Sequence, residues 1–357
     1  MKLKDVSLNI TESEYRDIDR MSYSLLSTVD RLGYKCISEE FVPNIATTFG
    51  TITESILFED YNPDEYYVID SEIAVTDTLK KVIDVLFPIL LKKVPYSDNL
   101  EDYHDDIIEF CKNDIGYYDK WNEESKGLKL ISETKEYWKH LVKSRGKLVI
   151  TNEFLHKAKQ CANTLRNHDF TSSIFSVNSF FNIETISQFK VMFSYNGFKF
   201  KAMLDWLVIN HDEKVIKPYD LKTGGKQVED FAESFYYWRY DIQAYLYSLA
   251  IKSVANKYYP DYKIEPFRFV YISRNDVYRP LVYSITEKHL KGTENGFYRD
   301  GQYFKSISEL ISELNWYKLH ANTVYYTKEV YDNKGELLID SNIKVYERKS
   351  EYKNKQE

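Results

Sequence analysis

Asp205, Asp220 and Lys222 lie close together in the middle of the chain, and a single leucine separates the last two. If residues 215–223 form a strand, Asp220 and Lys222 share one face, about 6.6 Å apart along the backbone, while Leu221 points to the other. Asp205 closes the run Lys201-Ala-Met-Leu-Asp205 on the preceding extended segment. A meander that sets Asp205 beside Asp220 would oppose two carboxylates, an arrangement that favours a divalent cation. Bound Mg²⁺ or Mn²⁺ acidifies a water and offsets charge on a phosphate, and a nearby lysine orients the nucleophile and stabilises the transition state. The expected roles follow from this chemistry, which is that of phosphodiester hydrolysis. Asp205 and Asp220 ligate metal, the Leu221 backbone carbonyl supplies a further ligand, and Lys222 serves water and phosphate.

An acid-x-lysine triplet is common in a chain with 29% charged residues. Glu124/Lys126, Glu133/Lys135, Asp212/Lys214, Asp261/Lys263 and Asp332/Lys334 all fit the pattern, so by itself Asp220/Lys222 would read as an exposed strand pair. Asp220/Lys222 differs in its context: a preceding strand with a second acid, an apolar residue between the pair, and a helix that follows. That helix, expected over Val228 to Ser253, carries Phe231, Phe235, Trp238, Ile242, Leu246 and Leu249 at spacings of three and four. On it Arg239, Gln243 and Tyr247 recur at i, i+4 and i+8 as a polar row able to face the catalytic strand.

The elements that must position these residues are legible from periodicity. Phe189–Tyr195 and Phe198–Val208 read as strands joined by Asn196-Gly197, which suits a type I′ turn. Val215–Thr223 follows as a third strand, and Phe267–Ser273 and Val282–Ile285 as short further ones. Upstream, Ser22 can cap a helix with Leu25, Leu26, Val29 and Leu32 on one side. A second helix is expected from near Thr48, with Ile52, Ile56 and Leu57 inward. Residues from Thr76 to His168 are mainly helical in pattern, broken at Pro88, at Pro95 and around Asn122 to Gly127. An extended piece from Lys147 precedes the last of these helices.

Composition narrows the class. With 357 residues and 43% hydrophobic side chains the chain can bury a large core. Its longest apolar runs, such as Val82 to Leu91, stop short of the roughly 20 residues of a bilayer span, so no membrane association is expected. Met1 to Ile10 lack the apolar stretch of a secretory signal, and a cytoplasmic protein is expected. Cys36, Cys111 and Cys161 are widely spaced, which suits buried, reduced thiols; an iron–sulfur cluster is not expected, because one chain usually supplies four cysteines to it. A net charge of −7 gives no global basic footprint, yet an enzyme that collects carboxylates for metal can still concentrate lysine and arginine in one groove.

Asp205, then Asp220-Leu-Lys222-Thr, then Gln243-Ala-Tyr-Leu-Tyr247 resembles, in order, the acid, the D-x-K strand and the Q-x-x-x-Y helix of the RecB-like and RecE-like branch of PD-(D/E)XK nucleases. Trp238 to Gln243 is similar to the RecE exonuclease form, and Tyr15 with the run Met21 to Leu26 to the start of RecE-type domains. Gly50-Thr51-Ile52-Thr53-Glu54 occupies the place of a G-T-x-x-H motif and departs from it: Glu54 stands for the histidine, so a carboxylate would meet the metal.

The resemblance runs from about Tyr15 to Trp316, and loosely over 65–145. It implies a restriction-endonuclease-like α/β (α+β) core, a central mixed β-sheet flanked by helices, with a helical insertion. A single domain is then expected over residues 1–320, with the insertion at about 65–165, the catalytic core at about 183–290 and a polar extension over 321–357. Implied site residues are Asp205, Asp220, Lys222, Gln243 and Tyr247 for catalysis, Glu54 as an added metal ligand, and Ser24 and Arg239 as nucleic-acid contacts. Implied activity is Mg²⁺- or Mn²⁺-dependent hydrolysis of linear duplex DNA from its ends in phage or prophage recombination. A homo-oligomer and a single-strand annealing recombinase are implied partners. An endonuclease of the same superfamily, or a non-catalytic DNA-binding or assembly module on this fold, stays open at this point.

Overall fold

The structure is a computed structural model that describes residues 3–33, 35, 44–70, 74–93, 97–112, 120–176, 182–320 and 326–336. Cys36 and most of the polar C-terminal extension lie outside the described residues. By contact the chain divides into two compact units, Met1–Phe58 with Gln160–Glu357, and Glu59–Lys159. The second unit falls close to the insertion expected at 65–165. Among the described residues no helix is long and apolar enough to cross a membrane.

The chain opens with α1 (Glu12–Asp17), α2 (Tyr23–Leu32) and α3 (Ile45–Leu57). Ser22 caps α2 as its sequence implies, accepting a hydrogen bond from the Leu25 N–H. The third helix begins three residues earlier than Thr48. Asn44, whose side chain takes the N–H groups of Ala46 and Thr47, outweighs the weak helix formers that follow it.

The unit of residues 59–159 holds β1 (Tyr66–Ile69), α4 (Asp77–Leu90), α5 (His104–Phe110), α6 (Glu123–Lys143) and β2 (Leu148–Thr151), and α7 (Asn152–Asn167) begins within it. β1 and β2 pair in parallel. Its core gathers Ile83, Leu86, Leu100, Ile107 and Leu130 around a fully buried Trp138, whose indole N–H reaches the Ser97 carbonyl at 3.0 Å.

Next come α8 (Ser172–Phe175), then β3 (Ile183–Tyr195), β4 (Phe198–Asn210) and β5 (Val215–Gly224). These three strands form the expected antiparallel meander. Its first turn uses Asn196 at φ 49° and Gly197 at φ 80°, the pair of positive angles that a type I′ turn needs. After β5 the chain passes through α9 (Phe231–Tyr237) and α10 (Tyr240–Tyr258) to β6 (Lys263–Ile264), β7 (Arg268–Ser273) and β8 (Asp276–Ser284). The strand order is β3-β4-β5-β7-β8, with β6 also on β5; β5 and β7 run parallel and the other neighbours on the main path antiparallel. The result is a six-stranded mixed sheet flanked by helices. α11 (Glu287–Asn295), the hairpin β9 (Phe297–Arg299) and β10 (Gln302–Phe304), α12 (Ile307–Leu319) and α13 (Lys328–Asp332) complete the described chain.

The core lies between this sheet and α10. Ile242, Ala244, Leu246, Ala250, Ile251 and Ala255 pack with Leu204, Leu207, Phe267 and Phe269 of the neighbouring strands. Even the polar side chains at the start of α10, Asp241 and Gln243, are buried, so its first two turns are enclosed on nearly all sides, while Lys252, Ser253, Asn256 and Lys257 further on are exposed.

The single helix expected over Val228 to Ser253 is in fact two. α9 ends at Tyr237, Arg239 adopts the left-handed conformation (φ 57°, ψ 42°), and α10 starts at Tyr240. A left-handed non-glycine residue costs of order 1 kcal/mol, and here the cost is offset by what the Arg239 side chain binds.

Candidate active site

β4 and β5 pair from Asn210↔Val215 to Trp206↔Tyr219, one step on each strand at a time. The next step would match Asp205 with Asp220, and there the ladder stops. On the other side, β3 pairs with β4 on both flanks of Asp205, at Ser187↔Trp206 and Phe189↔Leu204, and the one position skipped is Gln188 opposite Asp205. The sheet therefore opens around Asp205 on both sides. Its freed carboxylate turns to the next strand and accepts the Leu221 N–H at 2.8 Å.

Asp220 is fully buried. Its Oδ1 accepts a hydrogen bond from Gln243 Nε2 of α10 at 2.6 Å, and its Oδ2 is ion-paired with the Lys222 ammonium. Alternation along β5 thus sets Asp220 and Lys222 on one face, as their spacing implies. The ammonium also stands over the rings of Tyr240, at 4.8 Å, and Phe269, at 5.8 Å.

Glu54 arrives from α3. A Cβ at Gly50 would meet Thr223 Oγ1 at 3.1 Å, so the missing side chain lets α3 lie close against β5. Glu54 sits one turn after Gly50 on the same face. Its charge is felt at Asp205 and it feels that of Asp220. Gln188, held at φ 47° where β3 leaves the ladder, hydrogen-bonds Glu54. No periodic or motif signal marks Gln188 in the sequence.

The electrostatics follow from this crowding. Burial, then Asp220, raises the Glu54 carboxyl to about 7, and the Lys222 charge opposes that shift. Burial, then Asp220 and Glu54, pushes Asp205 well above the usual carboxylate range. Asp220 is also raised by burial, with Lys222, Asp205 and Gln243 pulling the other way. Burial alone would lower the Lys222 pKa, but Asp220, Tyr240 and Asp205 more than reverse this and keep it above that of an ordinary lysine. Burial also holds the Tyr247 phenol neutral, and its hydroxyl lies against Gln243.

Among the described residues no three His, Cys, Asp or Glu side chains stand as a ready-formed metal cage. The donor set nonetheless suits a hard divalent ion. Three carboxylates beside a single ammonium would leave net negative charge if all were ionised, and their mutual repulsion adds to burial in raising the Glu54 and Asp205 carboxyls.

The structure thus gathers Glu54, Asp205, Asp220, Lys222, Gln243 and Tyr247 in one place. Ser24 lies exposed on the first turn of α2. Arg239 goes elsewhere, which corrects its expected place in the polar row and as a nucleic-acid contact. It is 1% exposed. Its guanidinium is taken up by Asp30 at 3.0 Å, by both carboxylate oxygens of Asp241 at 3.0 and 3.1 Å and by the Lys305 carbonyl at 2.9 Å. It joins α2, α10 and the segment before α12, and offers no donor to an outside phosphate. The helix break turns it inward, and a row read from a continuous helix could not include that break.

No protein-family profile and no curated protein matches the chain. Among solved structures it is similar to a candidate exonuclease from Eubacterium rectale, at 14% identity and a TM-score of 0.44, over 93% of this chain and 95% of that one.

Proposed function

We propose that the chain is a metal-dependent nuclease of the PD-(D/E)XK type that hydrolyses DNA, specifically an exonuclease acting on linear duplex ends. The observation that carries this reading is the meeting of Glu54, Asp205 and Asp220 beside a protonated Lys222, where the sheet opens. Asp205, Asp220, Glu54 and the Leu221 carbonyl are the groups that would hold Mg²⁺ or Mn²⁺, and the ion would acidify a water and offset charge on the phosphate.

The chain's own residues have separable tasks. Lys222 stays charged, so it acts as a fixed cation against a phosphate oxygen and not as a proton acceptor. Gln243 fixes the rotamer of Asp220 from behind. The Leu221 N–H fixes Asp205 in the same way. Tyr247 closes the layer beneath Gln243. The family resemblance extends the reading to end resection in phage or prophage recombination, by a homo-oligomer working with a single-strand annealing protein.

The test is incubation of the intact chain with linear and with circular duplex DNA in Mg²⁺, Mn²⁺ or EDTA, beside folded Asp220→Ala and Lys222→Ala variants. Loss of the linear substrate alone, dependent on metal and on both side chains, is the expected result. Cleavage of circles would replace the exonuclease with an endonuclease. Binding without cleavage under either ion would leave a non-catalytic DNA-binding module.

A further inference from the structure

The break between α9 and α10 sends two neighbouring side chains in opposite directions. Arg239 turns into the interior, while Trp238 and Tyr237 are left at the surface, 39% and 62% exposed, with their rings edge to face at 4.8 Å. Arg31, at the end of α2, lays its guanidinium over the Trp238 ring, Cζ to centroid 4.7 Å. Its Nε is buried and has no hydrogen-bond partner among the described residues. The contrast with Arg239 and Arg268 is informative: both are paired with carboxylates. Asp30, next to Arg31 in sequence, is turned inward to Arg239.

This surface lies close to the carboxylate cluster. The Tyr23 hydroxyl donates to the Trp238 carbonyl at 3.0 Å, and the Tyr23 ring packs on Tyr240 at 6.2 Å. Tyr240 in turn stands under the Lys222 ammonium. Burial raises both tyrosine hydroxyls, and Arg31 is close enough to oppose the shift at each of them. One layer of aromatic rings therefore separates Lys222 from an arginine already stacked on a half-exposed indole.

We propose that Arg31 and Trp238 form a landing platform for single-stranded DNA beside the active site, with a phosphate on the Arg31 guanidinium and a base against the Trp238 and Tyr237 rings. The proposal rests on the nuclease reading for its biological sense, but its chemistry stands separately. Aromatic faces accept any base, and a guanidinium is suited to a phosphate. An acidic chain that binds DNA also needs its positive charge placed locally, and Arg31 is so placed.

The experiment is fluorescence anisotropy of a labelled short oligothymidylate with the full chain in EDTA, so that no hydrolysis intervenes, at several NaCl concentrations. Variants are Arg31→Ala, Arg31→Lys, Trp238→Ala and Trp238→Phe, each checked for an unchanged Tm. Trp238→Ala is expected to weaken binding about 10-fold or more, and Trp238→Phe to keep most of the affinity. Arg31→Ala is expected to weaken binding and to reduce the slope of log K against log salt by about 0.7, whereas Arg31→Lys keeps the slope. A purely structural stack would leave that slope unchanged.

Alanine variants that bind like the parent, or a parent that does not bind the oligonucleotide, would overturn the platform. The nuclease reading is separable from it. A parent that degrades duplex DNA while both alanine variants still bind normally refutes the platform alone. A parent that cuts nothing while both variants lose binding refutes the nuclease alone.

Discussion

Gln243 Nε2 and Asp220 Oδ1 meet at 2.6 Å, with both side chains sealed from solvent. An amide oriented this way is committed to holding the carboxylate, the group that would face the metal in the proposed reaction. Gln243→Leu keeps the volume and removes the donor. It is expected to lower activity about 10- to 100-fold and to raise the Mg²⁺ concentration needed for half-maximal rate. Rates measured across a Mg²⁺ series will show it, and an unchanged Mg²⁺ dependence would remove Gln243 from the site.

Gln188 has the corresponding role for Glu54, although it lies on a strand with no motif. Gln188→Ala is expected to reduce activity about 10-fold with little change in Tm. Gln188→Asn should sustain the backbone better than alanine, since asparagine tolerates positive φ. Equal activity of the parent and Gln188→Ala would show that Glu54 needs no orienting partner.

The metal-free protein should lose stability as pH rises. Glu54 is raised from 4.5 to about 7 in the folded state, so between these values the native chain binds more protons than the unfolded chain. The slope of unfolding free energy with pH is then negative. Its stabilising contribution is complete below about 4.5 and is lost as pH rises through about 7. In EDTA, Tm is expected to fall over this window more steeply for the parent than for Glu54→Gln. Identical pH profiles of the two would show that Glu54 is not held among like charges.

Arg239→Ala is expected to destabilise the fold by about 3–5 kcal/mol, because it removes the guanidinium that the two buried carboxylates Asp30 and Asp241 share. Denaturant unfolding measures this directly. A variant that keeps its stability but loses DNA affinity would return Arg239 to the surface role that its sequence position suggests.

These contrasts show where sequence and structure part. The meander was legible because the pattern changes period after Asn182 and Asn196-Gly197 marks the turn. The pairing of Asp220 with Lys222 followed from side-chain alternation alone, and the carboxylate set was accessible through motif order. The break at Arg239 was not, since apolar spacing continues through it from Phe231 to Leu249. Its cause is tertiary: Asp30, Asp241 and the Lys305 carbonyl converge on one guanidinium. Gln188 was hidden for a related reason. Its positive φ arises where β3 parts from β4 at Asp205, and local propensity gives no sign of it.

Titration of Mn²⁺ into the metal-free chain by calorimetry tests most directly whether Glu54, Asp205 and Asp220 share one ion. Expected is a saturable site in the parent that Asp205→Asn and Asp220→Asn abolish, that Glu54→Gln weakens and that Lys222→Ala retains. Binding that survives both aspartate substitutions, or no binding by a folded parent, would contradict a metal centre at this position.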